Sequence, residues 1–594
     1  MDKSYPICGI PTSHSSIVPV RHEIDAWYEE QCCGDRIQLT LFILAWEELQ
    51  KMDYHDKLSY FRIAGVHAAP YATWDDGQPP RSHEESYCVH NKITFPTWHR
   101  VYLLLFEQRL HEVMIEIINK RIPGHCKKDW TKAACEWRLP YWDFALLRDL
   151  QKLSLPRLCM TDKVDIILFH HDKPVKTCYN NPIYKFTTPI PMGKLDPPFA
   201  VQATVLSDEG LTYSWDKCTA TTKYGLHKGS DFNTATDHGQ HVEKSNLALN
   251  VHPWLEDNEG PKNPNPRLQS LRHEVQRLFT YDFTAWGCFA STIYGGKGTP
   301  PTDFLSLEFI HNNIHAWVGG IDVNNTEDPR FYGAGHMGDV PVAAFDPIFF
   351  LYHANIDRLT AIYQALYHDK WFNELQPGDP SPTASLEPFN WRCWGYGYDI
   401  VKKPGTNENR GKNKIKKLVM ELYGSPPCPL SDRGIDYVIN VVYDRYALEG
   451  CAYTIYFFLS KTQKLTRENC VGSVYTFSSR IPETPNATGC SACQEQKNNG
   501  VLSAAHVPIT HCLSACYLRA NSGLTSLNLR EVDTYVQQRL HWTIVKADGT
   551  TVPLKDPRFA TLQVTSCRGE IYSQDDGICP GYRGYEDVSL DQNS

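Results

Sequence analysis

Histidines inside strongly apolar segments are the feature that most constrains how this chain folds. The segment LEFIHNNIHAWVGG, residues 307–320, carries His311 and His315 four residues apart. The segment FDPIFFLYHANIDRL, residues 345–359, carries His353. A spacing of four places both rings of the first segment on one face of a helix. An imidazole buried among apolar residues is costly unless a partner satisfies it, so these residues predict a ligand.

A second group of three histidines has the same character. His67 lies in RIAGVHAAPY, and YCVHNKITFPTWHR carries His90 and His99, the latter at the start of a strongly apolar helix. Two groups of three predict two metal ions. Neutral imidazole suits copper, zinc, iron and nickel, and copper has the highest affinity of the divalent series. Neither group contains a carboxylate, which argues against a carboxylate-bridged di-iron site. A three-histidine zinc site stays open for either group alone.

Composition and charge exclude several classes of partner. The chain has 594 residues and a formal net charge of −9, and it shows no basic stripe, so we expect no nucleic-acid partner. No apolar run reaches the roughly 18–20 residues of a membrane helix, so we expect no membrane partner. The first residues, MDKSYPICGIPTSHSS, lack the apolar core of a signal peptide. We therefore expect a cytoplasmic protein whose cysteines are mostly reduced.

The pattern of apolar residues changes along the chain. Segments such as HRVYLLLFEQRLHEVMIEIINKRI show helical spacing, whereas IDYVINVVYDRYAL and AYTIYFFLS approach a period of two. Between them lies the basic, polar segment KKPGTNENRGKNKIKK. We predict a mainly α fold, with an antiparallel helical-bundle metal domain over residues 1–402. A basic flexible linker over 403–417 and a smaller β-rich cover domain over 418–594 are predicted to follow.

These motifs resemble the type-3 copper proteins of the tyrosinase and catechol oxidase family, of the long fungal kind. The resemblance rests on GVHAAPY, CVHN and FPTWHRVYLLLFEQRL, and on LEFIHNNIHAWVGG and GHMGDVPVAAFDPIFFLYHANIDRL. It implies two copper ions, one bound by His67, His90 and His99 and the other by His311, His315 and His353. It also implies a small phenolic substrate that O2 oxidises to an o-quinone. The product would enter melanin or another secondary metabolite.

The resemblance also implies roles for residues beside the ligands. Cys88 would form a thioether with His90, the alternative being an ordinary buried thiol. Glu308 and Asn312 would hold a water that deprotonates a monophenol, the alternative for Glu308 being a structural hydrogen bond. Val340 leaves room for a substrate ring where catechol-restricted relatives carry a bulky residue. Phe349 would lie at the floor or mouth of the site, or in the plain core.

Further implications concern parts of the chain outside the two histidine groups. Asp346 and Asp357 would either orient metal-bound rings or form ion pairs with nearby arginines. Arg21 would pair with a tyrosine of WGYGYD, residues 394–399. In the cover domain, Tyr475 or Phe477 would fill the substrate position and keep the enzyme latent. The thiols of Cys490 and Cys493 would deliver copper, since soft thiolates suit cuprous ion.

Two other functions stay open on the sequence. Some fungal relatives hold zinc on the same histidine scaffold and rearrange an alkaloid substrate without redox chemistry, as in a cyclopenase-type ring contraction. Zinc would then act as a Lewis acid, and the same imidazoles would bind it. An oxygen carrier resembling haemocyanin is the third alternative. It is disfavoured because the site admits a substrate.

Overall fold

The computed structural model of the protein describes most of the chain. The residues it leaves undescribed are 1–3, 12–17, 75–86, 147–154, 202–203, 207–211, 224–265, 282, 284, 296–303, 320–334, 368–393, 402–407, 461–468, 481–489, 521, 548 and 589–594.

Helices dominate the region before residue 367, which confirms the predicted mainly α fold of the metal domain. Their bounds are α1 Ile24–Cys33, α2 Ile37–Lys51, α3 Tyr60–Gly65, α4 Phe95–Arg121, α5 Lys127–Glu136, α6 Arg157–Met160, α7 Pro266–Thr280, α8 Trp286–Ala290, α9 Leu307–Val318 and α10 Ile348–Leu366. Within the described ranges, no helix combines the length and apolarity needed to cross a bilayer.

Aromatic packing fixes how α2, α4 and α10 lie against one another. The Phe106 ring of α4 stacks on Phe350 of α10, with 3.7 Å between ring centres. Trp46 of α2 meets the same Phe106 ring edge-on at 4.9 Å. All three side chains are fully buried, and such rings contribute both apolar burial and a preferred geometry. This contact sets the register of α4 and α10, each of which carries a candidate ligand.

Local signals in the sequence determine where the ligand-bearing helices begin. Pro96 lies in the first turn of α4, where a missing N–H leaves no helical hydrogen bond unmade. Ser306 caps α9, and its hydroxyl oxygen accepts a 3.1 Å hydrogen bond from the Phe309 N–H. These starts place His99 and His311 in the opening turns of two helices.

A buried arginine ties the N-terminal segment to the end of the metal domain. Strand β1, Val20–Arg21, pairs in parallel with β6, Gly397–Tyr398. Arg21 donates a 2.9 Å hydrogen bond to the Tyr398 hydroxyl, which confirms the predicted pairing with the WGYGYD motif. The same guanidinium lies 2.9 Å from Asp357 and 2.7 Å from Glu107, so its buried charge is compensated.

Two short pairs of strands lie within the helical region. An antiparallel pair joins β2, Lys163–His170, to β3, Lys173–Asn180. A smaller antiparallel pair joins β4, Thr204–Leu206, to β5, Thr212–Ser214. Neither pair contributes a candidate ligand.

The prediction of a flexible linker over 403–417 is wrong where the structure can test it. Residues from Glu408 to Tyr423 form helix α11, which packs against α7 and α10; residues 403–407 lie outside the described residues. Val419 and Tyr423 are fully buried, and the Tyr423 hydroxyl donates to Asp143 at 2.6 Å. The many lysines of this segment favoured the prediction of a flexible linker, although the segment forms a helix with one buried face.

The C-terminal region is β-rich, as predicted. Its strands are β7 Ile435–Tyr443, β8 Tyr453–Leu459, β9 Cys470–Tyr475, β10 Ser503–Pro508, β11 Leu540–Lys546, β12 Thr551–Val552, β13 Gln563–Ser573 and β14 Pro580–Val588. They form two four-stranded sheets, in the orders β10-β7-β13-β14 and β12-β11-β8-β9. The accompanying helices are α12 Ser491–Asn498, α13 Thr510–Leu518 and α14 Leu529–Arg539.

A buried polar cluster joins the cover domain to the metal domain. Arg277 of α7 lies 2.5 Å from the Asp436 carboxylate of β7. His506 of β10 lies 3.2 Å from the same guanidinium, and burial, together with the arginine charge, lowers the pKa of His506 well below its usual value. The neutral imidazole can therefore accept a hydrogen bond from Arg277. This compensated, buried ion pair therefore joins α7 of the metal domain to β7 of the cover domain.

Candidate metal centre

Helices α9 and α10 bring His311, His315 and His353 together. One ligand atom from each of these side chains lies within 4.8 Å of those of the other two. The Nε2 atoms of His311 and His315 are 3.0 Å apart, as the spacing of four on one helix face requires. All three rings are buried. The second predicted histidine group is therefore assembled in the structure.

The first group gathers around the start of α4. His67 follows α3, His90 precedes α4, and ligand atoms of these two residues and Cys88 lie within 4.8 Å of one another. His99 reaches the same place from the second turn of α4. Its ring centre lies 5.8 Å from that of His67 and 5.4 Å from that of His90. The three predicted rings thus lie against one another, and the close group of ligand atoms there is formed by His67, Cys88 and His90.

The two groups adjoin, and the space that their rings border is called the pocket. The ring centres of His90 and His311 are 5.7 Å apart. His99 and His353 stack at 4.5 Å with their planes 12° apart. Metal ions bound by the two groups would therefore be neighbours.

Backbone carbonyls orient three of the rings. The Nδ1 atom lies 3.1 Å from the Val340 oxygen in His67, 2.8 Å from the Phe95 oxygen in His99, and 2.7 Å from the Met337 oxygen in His315. A carbonyl oxygen only accepts, so each Nδ1 carries the hydrogen and each Nε2 presents a lone pair. This is the tautomer that binds a metal through Nε2.

The chemistry of the donor set fits metal ions. The Nε2 atoms of His90 and His99 and both ring nitrogens of His353 are buried without a hydrogen-bond partner. Burial lowers the pKa of His67 to about 4 and the pKa of each other ring in the two groups well below its usual value. The imidazoles are therefore neutral at physiological pH. Six neutral nitrogen donors without a carboxylate suit copper or zinc.

A close backbone approach makes one of these contacts possible. Gly319 ends α9, and a Cβ atom there would lie 2.4 Å from the Gly338 nitrogen. Only glycine lets the segment around Met337 come close enough for its carbonyl to reach His315. Sequence reasoning missed this group of orienting carbonyls, because no residue type signals a backbone oxygen.

The two aspartates near His353 form ion pairs and do not orient the rings. Asp357 pairs with Arg100 and Arg21. Asp346 lies 2.9 Å from the Lys223 ammonium, and both side chains are fully buried. Of the two predicted alternatives the ion pairs are the ones observed, although Lys223 takes the place expected for an arginine beside Asp346.

Glu308 and Asn312 lie beside the pocket, and they differ in how many of their polar atoms have hydrogen-bond partners. One Glu308 oxygen accepts the Asn91 N–H at 2.6 Å, and the other accepts the Thr292 N–H at 3.0 Å. The Asn312 side-chain oxygen lies 2.9 Å from His311 Nδ1. Its amide nitrogen is buried without a partner. Glu308 thus makes the structural hydrogen bonds of one alternative, and Asn312 keeps an unused donor.

An aromatic ring from the cover domain occupies the pocket. Phe477 stacks on His315 at 3.9 Å and 16°, and it meets His90 and His311 edge-on at 5.3 and 5.4 Å. Tyr475 instead donates its hydroxyl to the Gly338 carbonyl at 2.5 Å. The structure therefore selects Phe477 between the two predicted residues.

The two predicted gate residues both lie beside His67. Phe349 packs its ring 4.1 Å from that of His353 and 5.0 Å from that of His67, fully buried between the histidine groups. Val340 holds His67 through its backbone oxygen. Val340 also lines a small cavity beside His90.

That cavity connects the ligands to the Cys490–Cys493 pair. Its lining includes Cys88, His90, Val340, Arg445, Phe477, Ser479, Cys490, Ala492, Cys493 and Gln496. Cys490 and Cys493 form a disulfide at the start of α12. The predicted C-x-x-C pair therefore lies next to the first histidine group, in its oxidised form.

Comparisons with known proteins agree with this geometry. The family model of the common central domain of tyrosinase matches residues 57–366, and that of the tyrosinase C-terminal domain matches residues 436–565. The chain is 44% identical to the tyrosinase of Aspergillus fumigatus over 633 residues, covering 99% of both chains. It is 27% identical to polyphenol oxidase 2 of Agaricus bisporus, covering 80% of this chain and 82% of the relative.

Solved structures extend the agreement to the whole fold. The holo-protyrosinase of Aspergillus oryzae superposes with a TM-score of 0.76 at 32% identity, covering 100% of this chain and 99% of that one. The apo-protyrosinase from the same organism gives 0.75 at 31% identity, with 99% of each chain covered. By sequence, by fold and by its histidine-lined pocket, this chain belongs to the tyrosinase family of copper proteins and is an enzyme of the tyrosinase or polyphenol oxidase type.

Proposed function

We propose that this protein is a latent oxidase that converts monophenols and o-diphenols to o-quinones with O2 at two copper ions. The observation that carries the proposal is the pair of adjoining histidine groups, whose buried, neutral rings include nitrogens that no protein group satisfies. The names of the relatives, tyrosinase and polyphenol oxidase, support oxidation over the zinc-dependent rearrangement.

The chain supplies the ligands and shapes the place for a substrate ring. His67, His90 and His99 would hold one copper ion, and His311, His315 and His353 the other. Copper at these positions would exchange electrons between the phenol and O2. A phenol would take the position of the Phe477 ring, stacked on His315. Val340 is small enough to leave room at the rim, and Phe349 closes the floor with an apolar surface.

Asn312 and Glu308 would help a monophenol lose its proton. A free phenol has a pKa near 10, so deprotonation at neutral pH needs assistance. Arg445 of the cover domain lies 3.5 Å from Glu308 Oε1, which also accepts the Asn91 N–H. Once the cover domain leaves, this oxygen and the unused Asn312 amide donor would hold a water that accepts the proton. An o-diphenol needs this assistance less, because its oxidation requires no hydroxylation of the ring.

Metal analysis combined with oxygen uptake tests the proposed reaction. The purified full-length protein is expected to contain two copper ions per chain. After limited proteolysis it should consume O2 with both tyrosine and a catechol, and chelation of copper should abolish that uptake. Two zinc ions, with no oxygen uptake on either substrate, would overturn the proposal in favour of the alkaloid-rearranging alternative.

Replacing Glu308 by glutamine tests the proton role. We expect kcat/KM for a monophenol to fall at least about tenfold more than kcat/KM for a catechol, since a positioned base contributes about 10²–10⁴-fold. Both constants are measured on the copper-loaded, protease-treated protein. The control Ser291→Ala removes a buried hydroxyl that donates to Glu308 at 3.1 Å but keeps the carboxylate, and it should affect the two substrates alike. Equal losses for both substrates in Glu308→Gln would leave Glu308 with a structural role only.

Two cysteine features support subsidiary proposals. The Cys88 sulfur lies 3.6 Å from His90 Nδ1, close enough for the proposed thioether to pin that ring. Cys490 and Cys493 border the cavity that reaches His90. We propose that the pair delivers copper when reduced, because a disulfide offers no thiolate to the metal.

A further inference from the structure

A buried arginine of the cover domain lies against the carboxylate beside the metal centre. Arg445 follows strand β7, and its Nη1 atom lies 3.5 Å from Glu308 Oε1. The side chains of Arg445 and Glu308 are 2% and 0% exposed. Water therefore does not screen this charge pair, which joins the two domains at the pocket itself.

The other end of the same guanidinium holds the segment that fills the pocket. Arg445 Nη2 donates a hydrogen bond to the Phe477 carbonyl oxygen. The backbone of Phe477 has a φ of 38°, in the left-handed region that residues with side chains seldom occupy. Such a conformation persists only where surrounding contacts impose it. The charge-assisted hydrogen bond from Arg445 is one such contact.

The Arg445 guanidinium has few other hydrogen-bond or charge partners. Its Nε and Nη1 atoms are buried without a hydrogen-bond partner, although the ring of Tyr446 lies 5.6 Å from its central carbon. A buried cation needs compensation by an opposite charge or by acceptors. Glu308 and the Phe477 carbonyl provide that compensation. The side chain is thus placed to bridge these two groups.

We propose that Arg445 is a positioning residue that seats Phe477 in the pocket and pairs with Glu308 at the same time. The cover domain then blocks the substrate position with a ring and engages the neighbouring carboxylate with a cation. Loss of Arg445 releases both together. The seating of Phe477 stands on geometry alone, whereas its effect on turnover rests on the proposed function.

Hydrogen exchange on the full-length, metal-free chain tests the seating directly. In Arg445→Gln, the amides of residues 476–479 should exchange at least about tenfold faster, because a charge-assisted hydrogen bond to the backbone is lost. In the same variant, the amides of β7 and β10 should exchange as slowly as they do in the wild type. Glu308→Gln should also speed exchange at 476–479, and the double variant should show less than the combined effect of the two.

A matched control separates positioning from general loosening. Arg277→Gln removes a different buried arginine of the domain interface, and it should speed exchange in β7 and β10 more than in residues 476–479. If Arg445→Gln fails to fold, Arg445→Lys keeps the charge but cannot form the planar two-point contact. Arg445→Lys should also speed amide exchange at residues 476–479. Unchanged exchange at 476–479, or an increase spread over the whole cover domain, would overturn the proposal.

An activity measurement adds the consequence for turnover. The intact Arg445→Gln chain should oxidise a catechol about tenfold faster than the intact wild type. After proteolytic removal of the cover domain, the two proteins should be equally active, since residue 445 is then gone. If neither protein oxidises a phenol even after proteolysis, the proposed function fails, while the exchange result still decides the role of Arg445.

Discussion

Replacing Phe477 by alanine is expected to raise the catechol oxidase activity of the intact, copper-loaded chain by about 30-fold or more. The ring fills the proposed substrate position and stacks on His315 at 3.9 Å. Burial and stacking of such a ring contribute about 2–4 kcal/mol, and this free energy favours the closed pocket over substrate entry. Oxygen uptake before and after limited proteolysis measures the effect, and proteolysis should add little to the variant.

The control for this prediction keeps the pocket filled. Tyr475→Phe removes the hydroxyl that bonds to the Gly338 carbonyl but leaves Phe477 in place. Its intact-chain activity should stay within about threefold of the wild type, as expected for one neutral hydrogen bond. A Phe477→Ala chain as inactive as the wild type before proteolysis, but active afterwards, would show that another part of the cover domain blocks the site.

Replacing His353 by alanine should remove at least about 99% of the phenol oxidase activity of the protease-treated protein. It should also lower the bound copper from two ions to one per chain. Changes of residues that only support a metal ligand already cost about 10–100-fold. Neither ring nitrogen of His353 has a hydrogen-bond partner in the protein. The fold should therefore lose only about 1–3 kcal/mol of unfolding free energy, from the cavity.

A second helical histidine provides the matched control. His111 of α4 also has a buried Nε2 atom without a partner, and burial lowers its pKa to about 4, yet it lies outside both histidine groups. His111→Ala should keep two copper ions and most of the activity. Copper content and activity that fall alike in both variants would point to a general loss of structure. Two copper ions in His353→Ala would remove His353 from the ligand set.

Part of this architecture follows from local sequence alone. The spacing of His311 and His315 fixes one helix face whatever surrounds it. Pro96 and Ser306 specify where two ligand-bearing helices begin. The β-branched and aromatic residues from Ile435 onward specify a strand, which is buried on both faces.

The linker shows where local reasoning failed. Its lysines and glycines made a flexible segment the natural prediction, but residues 408–417 belong to helix α11, which continues to the buried Val419 and Tyr423. Helices in proteins depend more on an apolar face packed against neighbours than on intrinsic propensity. The residues that cover this helix face lie far away in sequence, so the local pattern could not predict its burial.

The amino-acid sequence determined the ligand types, their grouping by threes and the order of a helical domain before a β-rich one. Only the tertiary structure decided that the two groups share one pocket, that the Phe95, Met337 and Val340 carbonyls orient the rings, and that Phe477 fills the site. The physical reason is distance along the chain. Periodicity and caps act over a few residues, whereas contacts such as Glu308 with Arg445 form only when the whole chain has packed.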